Sequence, residues 1–227
     1  MRKKTMAFQS GGRRMDRRRF FGSSAVVVLI LCYLVPFAVG QAKRSFEVEI
    51  LELLEVRPGM VTAEIGAGNG DFALMLSVAV GSEGRVYANE IEPEFSKLAK
   101  KIEEKKASGN ASNLTVILGE ETDPLLPEKA DLLCLLWVYH HLSKPDDFMT
   151  NIPKYLKYGG KLAVVAVDID RVKNQVKKPA AHPDPCISKP AETQAAIEKT
   201  GFALKKLEYL TDHPELYLLI FETRRTS

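Results

Sequence analysis

The stretch that most restricts this chain is Val61–Leu76, VTAEIGAGNGDFALML. An apolar run, Val61–Ile65, stops at the glycine cluster Gly66-Ala67-Gly68-Asn69-Gly70, and an amphipathic run follows from Asp71. That is the pattern of a buried strand turning sharply into a helix. The rest of the chain repeats the alternation. Phe46, Ile50, Leu53 and Leu54 recur at helical spacing and stop at the turn Arg57–Met60. Beyond the glycines, the pattern predicts a helix over Asp71–Ala79, a strand over Arg85–Asn89 and a helix over Glu94–Ala107 with a solvated charged side. Leu114–Leu118, Ala130–Leu136 and Lys161–Val167 read as strands, the last two almost wholly apolar. A helix over Pro145–Leu156, stopped by Gly159-Gly160, separates those two. Ala191–Lys199 reads as a helix, and Phe202–Tyr209 with Leu216–Thr223 as a hairpin. Strands apolar on both faces and separated by helices predict an α/β fold, a mostly parallel sheet with helices on each side and right-handed crossovers. The Pro-, Lys- and Asp-rich segment 170–190 is expected to be a long loop beside the site.

Charge is unevenly spread. Residues 1–42 carry eight Lys or Arg and one acid, which leaves 24 basic against 28 acidic side chains in residues 43–227. A slightly acidic body gives no electrostatic reason to expect a nucleic-acid partner. The first 42 residues read as a leader and residues 43–227 as the domain. Asp16-Arg17-Arg18-Arg19-Phe20-Phe21 looks like a twin-arginine export signal, and Phe20–Val39 supplies 20 residues, just long enough to span a bilayer. The expectation is a signal peptide or a membrane anchor, with the body exported or tethered by its N-terminal segment. Cys32, Cys134 and Cys186 are scattered and read as unpaired thiols.

Three ligands compete for the glycine turn. A nucleoside triphosphate requires Gly-Lys-Ser/Thr, and no Lys follows. A dinucleotide requires Gly-x-Gly-x-x-Gly, but the third position is Asp71, which puts negative charge where a pyrophosphate sits. S-adenosyl-L-methionine has a ribose and an adenine, no phosphate, and a sulfonium cation that tolerates Glu64 and Asp71 as neighbours. Glu90, 20 residues after Gly70 at the end of the second strand, suits a carboxylate that accepts the ribose hydroxyls.

At these residues the chain resembles the class I S-adenosylmethionine-dependent methyltransferases, and among them the ubiquinone/menaquinone-biosynthesis-like branch. AEIGAGNGDFALML is similar to the family's first motif and VYANEIEPE to its acidic ribose motif. VILGEETDPLLPEKADLLCLLWVYHHL resembles the third-strand acid and the fourth-strand motif, and IPKYLKYGGKLAVVAVD the turn into the fifth strand. The resemblance covers about residues 46–222. It implies a Rossmann-like seven-stranded sheet, mostly parallel, with an antiparallel last strand. It also implies that Glu64, Gly66, Ala67 and Gly68 lie against the methionine part of the cofactor and that Glu90, with Ile91 beside it, holds the ribose. An acid at Glu120 or Glu121 caps the adenine amine, and Trp137 and Tyr139 border the transferable methyl.

Methyl transfer needs alignment and a dry site, and a base only where the acceptor must lose a proton. The candidates are His140 and His141 after the fourth strand, with Asp168 at the end of the fifth to orient a base or the acceptor. The adjacent His pair, with His182 and His213 distant in sequence, does not suggest a metal site. The predicted function is methyl transfer to a small-molecule acceptor that no motif names. A catalytically inactive nucleoside-binding domain and an NAD(P)-dependent oxidoreductase are the alternatives, the second disfavoured by Asp71. The sequence does not specify an oligomeric state.

Overall fold

The computed structural model describes residues 45–107, 111–172 and 187–224. The chain divides into two units, Met1–Ala42 and Lys43–Ser227. The leader, Cys32, Cys186 and His182 lie outside the described residues.

Alternation of helix and strand follows the sequence pattern. In order, the elements are α1 (Phe46–Leu53), β1 (Val61–Ile65), α2 (Asp71–Val80), β2 (Arg85–Glu90), α3 (Glu94–Ala107), β3 (Leu114–Leu118) and β4 (Ala130–Leu136). Then come a 3-10 turn (Tyr139–His141), α4 (Pro145–Asn151), a second 3-10 turn (Ile152–Tyr155), β5 (Leu156–Asp168), α5 (Ile169–Val172) and β6 (Ile187–Ser188). The described chain ends with α6 (Pro190–Glu198), β7 (Phe202–Tyr209) and β8 (Leu216–Thr223). The strands form one sheet in the order β3-β2-β1-β4-β5-β8-β7, with two-residue β6 against the end of β5. Neighbours from β3 to β5 are parallel. β8 runs antiparallel to both β5 and β7. The seven-stranded sheet with an antiparallel last strand is present, with β6 as an addition the sequence pattern did not reveal.

Both faces of the sheet are buried because successive strand residues point to opposite sides and both sets are apolar. In β4, Leu132, Cys134 and Leu136 join Ile50, Leu54, Phe72, Leu76, Leu98 and Ile102 from α1, α2 and α3 in one core. Leu133 and Leu135 join Phe148 and Met149 of α4, Ile197 of α6, and Tyr217 and Phe221 of β8 in the other. Among the described residues, no helix is long and apolar enough to cross a membrane.

Several boundaries shift by one residue, and the segment 170–190 expected as a loop carries α5 at its start and β6 and the first residue of α6 at its end; two differences are larger. The predicted helix Pro145–Leu156 becomes a seven-residue helix and a 3-10 turn. Pro153 has no N–H to donate, and its ring prevents an α-helix from continuing through it. β5 starts at Leu156 rather than Lys161. Leu156 pairs with Ala130, and pairing resumes at Leu132–Lys161, so the Gly159-Gly160 pair sits in a bulge of the strand instead of ahead of it. Gly159 takes φ 72°, which a bulge of this kind favours.

Strand order reverses between β1 and β4, since β1 leads outward to β2 and β4 leads outward to β5. In open parallel sheets the ligand crevice lies beyond the carboxyl ends of the strands at that point. The glycine turn leaves β1 there, and Trp137–His141 leave β4 beside it.

Candidate active site

Gly66, Gly68 and Gly70 all take positive φ, at 68°, 52° and 74°. A Cβ on Gly66 would lie 2.5 Å from Cγ2 of Val138, and one on Gly70 would lie 2.7 Å from Cδ1 of Leu98. These two glycines let the turn pass close under the β4 exit and against α3. Around Gly68 nothing lies within 4 Å of such a Cβ. The turn is held by Ala67 N–H on Asn89 O (2.9 Å) and Gly70 N–H on Ala67 O (2.7 Å). Asp71 is bonded by Asn69 and Lys101, each at 2.7 Å.

Glu90 ends β2 and joins the two strand exits. Its Oε2 accepts the Gly68 N–H at 2.8 Å and its Oε1 accepts the Ile91 N–H at 3.0 Å. The carboxylate is therefore fixed in place, and each oxygen keeps a lone pair for another donor. Behind it, buried Asn89 donates through Nδ2 to Pro124 O at 2.9 Å, which ties the loop after β3 to the end of β2.

Two cavities meet at Gly66. The larger, about 340 Å³, has apolar walls from Ile65, Ile91, Val138, Leu142 and Phe148, and a polar rim from Glu90, Glu120, Glu121 and His141. Glu121 also pairs with Lys144 at 3.5 Å. The smaller, about 240 Å³, is bounded by Phe46 and Glu47 of α1, Glu64 of β1, Gly66–Asn69, Asp71 and Trp137. The Phe46 ring meets Trp137 edge-on with centroids 5.0 Å apart, and His213 similarly at 5.8 Å. Trp137 takes φ 58°, a conformation rare for a large side chain. Glu64 is 5% exposed, and its Oε2 is buried without a hydrogen-bond partner. Burial pushes its carboxyl up to about 8; the Ala73 backbone bond opposes this, and the Glu90 and Asp71 charges add to it.

All of the residues expected to hold the cofactor border one cavity or the other: Glu64, Gly66, Ala67, Gly68, Glu90, Ile91, Glu120, Glu121 and Trp137. The expected catalytic group behaves differently. His141 borders the larger cavity, whereas His140, Tyr139 and Asp168 border neither. Tyr139 is 6% exposed and packs in the core beneath α4 and α6, because the 3-10 turn after β4 directs it to that face. His140 is half-buried. Its Nε2 lies 2.7 Å from Ser188 Oγ and 3.3 Å from Thr193 Oγ1, in a hydroxyl cluster completed by Tyr217. Burial lowers its imidazole below the usual range. Asp168 accepts the Tyr209 hydroxyl at 2.7 Å and the Asp170 N–H at 2.9 Å. The Arg171 guanidinium stacks 3.3 Å over the Tyr209 ring beside it. These three residues fasten the carboxyl edge of the sheet.

Phe46, Glu47, Asn89, Val138, Leu142 and Phe148 were not singled out from the sequence. Asn89, Val138 and Leu142 lie inside the quoted motifs without a role of their own, whereas Phe46, Glu47 and Phe148 read only as helix residues that the fold brings to the crevice. Among the described residues, no cluster of three or more His, Cys, Asp or Glu side chains could hold a metal ion.

Residues 63–164 match the family model described as a methyltransferase domain. A curated relative, the protein-L-isoaspartate O-methyltransferase of Staphylothermus marinus, is 32% identical over 143 residues, which is 59% of this chain and 60% of that protein. The chain spans less than two thirds of the length of the curated relatives it matches. The structure of an S-adenosylmethionine-dependent methyltransferase from Aquifex aeolicus superposes with a TM-score of 0.63 at 20% identity, covering 77% of this chain and 88% of that one. The glycopeptide N-methyltransferase MtfA, solved with S-adenosyl-L-methionine, superposes with a TM-score of 0.63 at 13% identity, covering 79% and 93%. Residues 63–164 thus match a methyltransferase domain, and the described chain has the fold of solved S-adenosylmethionine-dependent methyltransferases.

Proposed function

We propose that this protein transfers the methyl group of S-adenosyl-L-methionine to a small-molecule acceptor. The observation that carries the reading is Glu90, fixed by two backbone N–H groups where two cavities of different character meet. An apolar-walled cavity with an acidic rim suits a base that bears an exocyclic amine. A smaller cavity bounded by Glu47, Glu64 and Asp71 suits a cationic amino-acid end and opposes a phosphate. The orphaned Oε2 of Glu64 fits the same ligand, because a buried oxygen without a donor is costly until one arrives.

When bound, S-adenosyl-L-methionine supplies a methyl group on a sulfonium sulfur, and the chemistry ends in a neutral thioether. The chain's residues bind, orient and exclude water. Glu90 accepts from the ribose hydroxyls. Ile91, Val138, Leu142 and Phe148 enclose the base, and Glu120 and Glu121 offer acceptors for its amine. Phe46 and Trp137 cover the methionine side and offer ring faces to a cation. His141 is the expected candidate that reaches a cavity, so it is the residue to take a proton from an acceptor that must lose one. The acidic body supports a small or lipid-soluble acceptor over a nucleic acid. For the leader we propose export or anchoring, on the strength of its arginine cluster and apolar run.

Calorimetric titration of the chain with S-adenosylmethionine and S-adenosylhomocysteine tests the cofactor reading, with NADH as a competitor. Micromolar binding of both that NADH does not displace is expected. Glu90→Ala should weaken it at least tenfold, because hydrogen bonds to a charged group contribute about 1.5–3 kcal/mol. Binding of NADH alone would favour an oxidoreductase, and binding of no nucleoside by the folded chain would remove the enzyme reading.

A further inference from the structure

α1 is fastened unevenly along its length. Its second half is anchored by Ile50 and Leu54, both buried in the core shared with α2 and β4. In its first turn, Phe46–Glu49, no side chain is buried, and Val48 is exposed. Ser45 is a favoured residue type for the N-cap but makes no side-chain cap bond. The first backbone bonds are long, with the Val48 and Glu49 N–H groups sharing Ser45 O at 3.1 and 3.4 Å. Two contacts that fasten this turn come from the far end of the sequence. Glu49 Oε1 accepts the Thr211 N–H at 2.6 Å, and the Phe46 ring stands edge-on to His213 at 5.8 Å as well as to Trp137 at 5.0 Å. The turn between β7 and β8 that supplies Thr211 and His213 is braced from behind. Pro214 O accepts from Arg171 Nη1 at 2.9 Å, and Glu215 O accepts the Asp168 N–H at 2.8 Å. The part free to move is therefore the first turn of α1, a segment at the low-stability end of the fold. Phe46 and Glu47 of that turn bound the smaller cavity together with Glu64 and Gly66–Asn69.

We propose that the first turn of α1 gates the crevice. It lifts, hinged at Ile50, to let the amino-acid end of the cofactor reach the smaller cavity, and Thr211 and His213 form the catch to which it returns. The inference rests on the proposed function and deepens it, because access to the site then depends on residues that do not line it. Glu49 and His213 border neither cavity. The catch is closed before binding and again after it, so each of its contacts slows entry and exit alike. Loss of a contact speeds both rates by the same factor and leaves the affinity as it was. A residue that only touched the ligand would change exit and affinity together.

Trp137 is the only tryptophan of the chain and borders the smaller cavity, so its emission reports on the gate. Stopped-flow fluorescence of the full chain mixed with S-adenosylhomocysteine tests the inference. The observed rate should level off as the ligand concentration rises, at the rate of lifting. Glu49→Ala should raise that ceiling and the dissociation rate together by about tenfold, and His213→Ala by about threefold, with Kd changed by less than about twofold. Glu49→Gln, whose amide oxygen still accepts the Thr211 N–H, should stay within about threefold of the wild type. Should one variant fail to fold, the other and the wild-type ceiling still decide. A wild-type rate that climbs without a ceiling overturns the inference. So does a ceiling that neither alanine variant moves, or faster dissociation matched by weaker affinity. Calorimetric binding with no response from Trp137 overturns it as well, since the ligand then lies away from this turn. Each of these results leaves the methyltransferase reading standing, and absence of calorimetric binding of S-adenosylhomocysteine removes both.

Discussion

Gly66 and Gly68 look equivalent in the sequence, and the structure separates them. Both take positive φ, so an alanine at either is strained by about 1 kcal/mol. Only at Gly66 does the added methyl meet another side chain, 2.5 Å from the stiff, branched Val138. Overpacking of that kind costs roughly a further 1–3 kcal/mol. Denaturant unfolding of Gly66→Ala should therefore show a loss of about 2–4 kcal/mol, and Gly68→Ala a loss near 1 kcal/mol. Equal losses would mean that the turn is not pressed against the β4 exit. The same distinction limits what single residues reveal in the sequence. Glu64, the glycines and Glu90 were readable because strand ends and turns fix where they lie. Tyr139, His140 and Asp168 were readable only as residues near strand ends, and whether each side chain enters the crevice or the sheet edge depends on a 3-10 turn and on distant partners such as Ser188 and Tyr209.

At the scale of elements, most helices and strands could be read from periodicity, and the errors fall where local chemistry competes with it. Pro153 splits one predicted helix, and the Gly159-Gly160 pair proved to be a bulge inside β5 because β4 pairs on both sides of it. The position of α1 was not readable, although its helical spacing was. α1 covers the smaller cavity because Phe46 packs on Trp137 and His213, and because Glu49 accepts the Thr211 N–H at 2.6 Å from the turn between β7 and β8. The contacts to Thr211 and His213 join residues at opposite ends of the domain sequence, which no local pattern encodes. Removing the half-buried ring in Phe46→Ala should cost about 2 kcal/mol, counting apolar area and edge-on ring contacts. Hydrogen exchange should then accelerate in the amides of α1 while those of β1 remain protected. Val48→Ala, at a more exposed position on the same helix, should change stability by less than about 0.5 kcal/mol. If both variants behave alike, α1 is not held by its aromatic contact.

For the whole molecule, the acid content of the body sets a pH dependence that two carboxyl groups push in opposite directions. Glu128 is held down to about 2, chiefly by its bond from Arg85 and then by Tyr87. A lowered carboxyl contributes stability that is present above its unfolded value of about 4.3 and is lost as pH falls toward 2. The Arg85–Glu128 pair is partly exposed, so that contribution is screened and small. Glu64 is raised to about 8 by burial. Between about 4.3 and 8 the folded chain then holds a proton that the unfolded chain has released, so stability falls as pH rises through that window. Glu64→Gln keeps the shape and the neutral state without the titration. At about pH 4 or below its thermal stability should match that of the wild type, and near pH 8 it should exceed it by about 2 kcal/mol or more. Adding S-adenosylhomocysteine at pH 8 should reverse the order, because the ligand supplies the cation that the wild-type carboxylate lacks and the amide cannot use. A variant that is more stable empty and less stable loaded would show that the buried acid is retained for binding at the expense of the fold. A variant less stable than the wild type at pH 8 without ligand would show instead that Glu64 is already charged and satisfied in the empty crevice.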